Sequence, residues 1–161
     1  MKPVHPILVH FPIALLVTSV ISDGVYFFTS VETLRHAGFW MLVVAAGAGV
    51  GTVAAGLFDM SRATIAEDVH ERVQRHMWIG IALFIVIIGL AIWRWTFFND
   101  PTKPLSAIYL DFGLLGVALA AFQGWLGGEL VFTYGVSVQQ QKAEPIAARK
   151  TKSPEPSLHS H

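Results

Sequence analysis

The sequence predicts an all-α integral membrane protein, an up-down four-helix bundle followed by a disordered C-terminal tail. Two observations carry that prediction. Hydrophobic residues make up 53% of the 161 residues and charged residues 14%, against about a quarter charged in an ordinary soluble domain. Four windows are also long enough to cross a hydrocarbon core, which takes about 20 mostly apolar residues. Helices that are apolar all round do not face water, so four of them in one short chain point to lipid.

The first span covers residues 7–28 and is interrupted only by Asp23. Lys2 precedes it, as in a secretory leader, but the apolar run is too long for one and offers no Ala-x-Ala site, so the span is expected to be retained. The second span, residues 38–58, carries no charge. The third, residues 77–98, holds Arg94, and the fourth, residues 105–131, holds Asp111 and Glu129. Residues 29–37 join spans one and two. Residues 99–104 join spans three and four, punctuated by Pro101 and Pro104.

The middle connection, residues 59–76, reads as more than a loop. Ser61 can cap a helix. Ala66, Val69, Val73 and Met77 recur at helical spacing, and Asp68–Arg72 and Glu71–Arg75 are acid-before-base pairs four apart. Span three is therefore expected to begin inside an amphipathic helix at the membrane surface. The spanning domain is placed at residues 1–138. Residues 139–161 are polar, hold Pro145, Pro154 and Pro156, and lack periodicity, so they form the disordered tail. His159 and His161 at its end are given no role.

Lys and Arg set the orientation. With four spans, one side holds Lys2, Arg62, Arg72, Arg75, Lys142, Arg149, Lys150 and Lys152, and the other Arg35, Arg94 and Lys103. Both termini are expected to be cytoplasmic. The balance of eleven basic and eleven acidic residues argues against a nucleic-acid partner. The absence of cysteine excludes disulfides, iron–sulfur clusters, thiol catalysis and c-type haem attachment within this chain. No Gly-x-Ser-x-Gly elbow or His-Glu-x-x-His pair is present.

Close packing of helices in lipid uses small residues. Gly47, Gly51 and Ala55 lie four apart in span two, and Gly116, Ala120, Gly124 and Gly128 in span four. These rows predict helix–helix contact within the bundle or a homo-oligomer seam. A charge in lipid needs a partner. Asp23, Arg94 and Asp111 all fall near one membrane face, and a structural ion pair among them is expected, a proton or ion path being the alternative.

The opposite face is richer. His5 and His10 open span one, Asp59 closes span two, His76 opens span three and Glu129 closes span four. Spans one and three run parallel in an up-down bundle, so their starts share a level. Two imidazoles facing across a gap in an apolar shell are what a bis-His b-type haem needs. His10 and His76 are the expected ligands, His5 a substitute or supporting group, and Phe11, Trp78, Phe84 and Trp125 candidate walls. The same residues read as a divalent-metal site would use His10, His76, Glu129 and Asp59. A set of hydrogen bonds that locks the helix ends remains the plain alternative.

The opening His5-Pro6-x-x-Val9-His10-Phe11-Pro12 and the closing Gly124-Trp125-Leu126-Gly127-Gly128-Glu129-Leu130-Val131, followed by Tyr134-Gly135-Val136, resemble the bacterial membrane protein family catalogued as domain of unknown function 2231. Asp59 after Gly56-Leu57-Phe58, and His76 at the start of span three, also fit its pattern, whereas Phe132-Thr133 stands where a more basic stretch is expected. The resemblance covers roughly residues 3–138. It implies a four-helix protein of the bacterial inner membrane and supplies no activity. Some relatives carry Rieske-type iron–sulfur domains, which implies membrane redox work by analogy. The functions in view are a small haem-binding or electron-transfer subunit working with another membrane or redox protein, a non-catalytic assembly subunit, and a transporter or channel component.

Overall fold

The computed structural model describes residues 4–62, 67–98, 100 and 103–136, the side chains of Asp68 and Phe97 excepted. The expected tail, residues 139–161, lies outside the described residues, as do Ala66, Pro101 and the carboxylate of the expected Asp68–Arg72 pair. Among the described residues all regular structure is helical: α1 His5–Leu8, α2 His10–Thr29, α3 Glu32–Arg62, α4 Glu67–Phe98 and α5 Ala107–Phe132. Taken together, α1 and α2 form one apolar segment, and it and the three other long helices are each long and apolar enough to cross a membrane.

The break at Val9 follows from the sequence. Pro12 has no N–H to donate to the carbonyl of Leu8, four residues back. The helix therefore closes one turn, with Val9 N–H on the His5 carbonyl at 3.1 Å, and restarts at His10. At the far end of α2, Ser30 takes a left-handed conformation (φ 57°) and donates its N–H to the Tyr26 carbonyl at 2.7 Å. Only Ser30 and Val31 separate α2 from α3.

Helix α3 overruns the expected span at both ends. Its polar ends stay helical through local bonds such as Arg35 to Glu32 at 3.3 Å. Ser61 lies within α3, not ahead of a new helix, and its hydroxyl donates to the Phe58 carbonyl at 2.7 Å. Helix α4 runs unbroken for 32 residues, about 48 Å at the α-helical rise. Its first turns therefore extend beyond a hydrocarbon core, as the amphipathic spacing predicts, and Arg75 pairs with Glu71 there at 3.3 Å. Ser106 caps α5, accepting from Tyr109 N–H at 3.2 Å. Left-handed Gly135 (φ 64°) then turns the chain back so that Val136 N–H reaches the Leu130 carbonyl at 2.9 Å.

The long helices pack in chain order, and α5 closes back on α2. Leu16, Leu42, Ala45, Leu83, Ile87, Leu90 and Ala120 fill the centre. Large apolar side chains face outward, among them Trp40, Trp78, Ile92, Trp95 and Phe132, as suits a surface wetted by lipid tails. Phe11, Trp78 and Trp125, expected as walls of an internal site, are among these outward residues.

The glycine rows divide. Gly116 sits against Val86, Leu16 and Leu90, and a Cβ on Gly49 would collide with the Phe84 ring. Gly47, Gly51 and Gly124 face open space. Steps of four residues advance about 400° around a helix of 3.6 residues per turn, so such a row drifts off any one face. The inward line on α5 is Gly113, Gly116, Ala120, Gln123 and Gly127, at mixed spacings of three and four.

Candidate functional site

The start of α1, the end of α3, the start of α4 and the end of α5 meet at one end of the bundle. There Asp59 Oδ2 accepts from the backbone N–H groups of Val4 and His5, each at 2.8 Å. A carboxylate from α3 thus caps α1, satisfying two donors that have no helical partner. This cap holds His5 in place. The His5 Nδ1 lies 3.0 Å from the Thr52 carbonyl, which only accepts, so Nδ1 carries a proton. Gly56 leaves room for the ring, whose Nδ1 would lie 3.0 Å from a Cβ there.

His76 faces His5 from α4, with ring centroids 6.2 Å apart and planes at 90°. Its backing comes from α5. Gln123 Nε2 lies 3.1 Å from His76 Nε2 and 3.0 Å from the His76 carbonyl. Gly127 lets the imidazole approach, 3.1 Å from where its Cβ would be. Two atoms of this group, His76 Nδ1 and Gln123 Oε1, are buried without a partner among the described residues.

The sequence-predicted residues are distributed differently from the expectation. His5, not His10, stands opposite His76, and His10 is exposed. Val9 keeps helical dihedrals between the two helices (φ −59°, ψ −28°), so positions five apart still point about 140° apart, and one imidazole facing the interior turns the other out. Glu129 is bound to Arg72 at 3.0 Å, and Asp59 to backbone. The four-residue metal set of His10, His76, Glu129 and Asp59 is therefore not brought together, and no group of three or more His, Asp or Glu among the described residues is arranged to hold a metal ion.

At the other end, Arg94 and Asp23 are fully buried and paired, Nη2 to Oδ1 at 2.9 Å and Nε to Oδ2 at 3.3 Å. Tyr109 donates to Asp23 Oδ2 at 3.1 Å, and Arg94 Nη2 also donates to the Arg35 carbonyl at 2.9 Å. Four helices converge on this one ion pair. A Cβ on Gly38 would overlap the Asp23 carboxylate, and Ser19 fastens α2 to the Gly38 carbonyl at 2.7 Å. Asp111, expected as a third member, is exposed. The arrangement neutralises two charges locally and locks the helices together.

Sequence reasoning missed Thr52, Gln123 and Tyr109. Their signal was present: each is an uncharged polar side chain inside an apolar span, where such groups seek a partner. No curated protein and no solved structure matches the chain. The family model described as a predicted membrane protein (DUF2231) matches residues 1–140. A match over that much of the chain makes the protein a member of the DUF2231 family of predicted membrane proteins.

Proposed function

We propose that this membrane protein is a small electron-transfer subunit that binds haem b between His5 and His76. The carrying observation is the facing imidazole pair with centroids 6.2 Å apart. Two nitrogen–metal bonds of about 2 Å laid end to end, with half an imidazole at each end, span about 6 Å. At His5 the Thr52 carbonyl occupies Nδ1, which leaves Nε2 for the ligand role. At His76, the Gln123 amide nitrogen lies 3.1 Å from Nε2 and 3.0 Å from the main-chain carbonyl and so fixes the ring, while Nδ1 is buried without a partner among the described residues. A ligating imidazole oriented through its other ring nitrogen, as His5 is by the Thr52 carbonyl, is the usual arrangement around a metal. Two facing imidazoles without a third donor suit axial haem ligation better than a four-ligand ion. When bound, the haem would supply one-electron exchange.

The test is the reduced-minus-oxidised visible spectrum of the full chain, produced with haem precursor and purified in mild detergent. A sharp α-band is expected, lost in His5→Ala and in His76→Ala and kept in His10→Ala. A flat spectrum at full haem supply, or a band that depends on His10 alone, overturns the proposal.

A second reading is supported by Gly47 and Gly51, which leave an open, small-residue strip on the lipid face of α3. Such strips let helices of separate chains approach closely, which suits a homo-oligomer or an assembly subunit. We place the protein in the bacterial inner membrane with the His-bearing end cytoplasmic, on the distribution of Lys and Arg.

A further inference from the structure

A cavity of roughly 130 Å³ opens sideways between the start of α4 and the end of α5. Its rim carries Arg72, Arg75 and Glu129, and its inner wall Phe122, Trp125 and two leucines. Phe122 and Trp125 lie seven and four residues before Glu129, one to two turns nearer the middle of α5. Phe122 and Trp125 stack at 5.7 Å with planes 26° apart, and both are exposed on the lipid-facing side, Trp125 by 63%. Arg72 is committed to Glu129 across the two helices at 3.0 Å. Arg75 is not so committed, because its partner Glu71 is an exposed neighbour one turn away, and such pairs are held weakly.

We propose that this groove seats one anionic phospholipid, its phosphodiester on Arg75 and its acyl chains along Phe122 and Trp125. A phosphodiester that displaced the exposed Glu71 carboxylate from Arg75 would leave each cation of the rim with one anionic partner. Basic pockets between membrane helices at the headgroup level bind anionic lipid heads. The aromatic wall continues from the rim towards the membrane interior, so the groove is matched to an amphiphile and not to a soluble phosphate. The seat is separate from the His5–His76 pair, and its test does not depend on haem.

The experiment is native mass spectrometry of the full chain released from micelles containing defined lipids. Wild type is expected to retain one phosphatidylglycerol per chain in preference to phosphatidylcholine. Arg75→Gln should weaken retention about fivefold, the share of one basic residue near a lipid surface. Trp125→Ala should weaken it also. Lys103→Gln, an exposed cation near the opposite end, should leave it unchanged. Soluble glycerol phosphate in excess should not displace the lipid. Equal retention of the two lipids, an unaltered Arg75→Gln, an equal loss in Lys103→Gln, or displacement by glycerol phosphate would each overturn the proposal.

Discussion

Arg94 is the largest fully buried side chain among the described residues, and it lies in a helix apolar enough to span a membrane. Its charge is tolerable there because Asp23, Tyr109 and the Arg35 carbonyl surround it. Removing one member of a buried pair leaves the other uncompensated, at a cost of about 3–5 kcal/mol. Asp23→Leu is therefore expected to lower the stability of the detergent-solubilised protein by about that amount, read from its thermal unfolding. Arg94→Met added to it should restore much of the loss, because the stranded cation is gone. A single variant as stable as wild type would show that the ion pair does not hold this end together. That an ion pair forms was readable from three charges near one membrane face. Which residue of span four joins it was not. Tyr109 and Asp111 are two apart on a helix, about 200° around the axis, so only one can point inward. The choice depends on the rotation of α5, which Leu105, Gly113, Gly116 and Ala120 settle by packing. The same geometry separates His5 from His10.

At the level of elements, α1 is the one that needs outside help. A single turn of helix has almost no stability of its own, and this one is cut off from α2 by the missing N–H of Pro12. Asp59 supplies what the turn lacks by accepting two of its free N–H groups. Asp59→Ala is expected to cost about 1 kcal/mol, the usual loss of a cap. It should raise the hydrogen-exchange rate of α1 while leaving the centre of α2 protected. Uniform acceleration across both helices would contradict this local role. The sequence revealed Asp59 as a polar group at the right end of span two, but suggested the imidazoles as its partners. Hydropathy also located the four spans well and their helices less well. It measures how much chain lies in lipid, whereas α3 and α4 continue beyond the apolar windows through ion pairs such as Arg35–Glu32 and Arg75–Glu71.

For the whole molecule, two polar clusters at opposite ends define an up-down bundle without reference to a membrane. His5, Thr52, Asp59, His76 and Gln123 join at one end. Asp23, Arg35, Arg94 and Tyr109 join at the other. Antiparallel neighbours require this arrangement, because each helix contributes its start to one cluster and its end to the other. What the bundle does not fix is which end faces the cytoplasm. The proposed cytoplasmic placement of the His-bearing end rests on eight Lys and Arg residues against three. The absence of cysteine makes the test direct. Ser61→Cys sits at the end of α3 on the His-bearing side, and Lys103→Cys lies between α4 and α5 on the other, both at exposed positions. A membrane-impermeant maleimide added to intact spheroplasts should label Lys103→Cys at once and Ser61→Cys only after the membrane is opened. The reverse order would turn the bundle over. It would then put the His5–His76 pair and the Arg75 groove on the outer face, where any redox partner would have to approach from outside the cell.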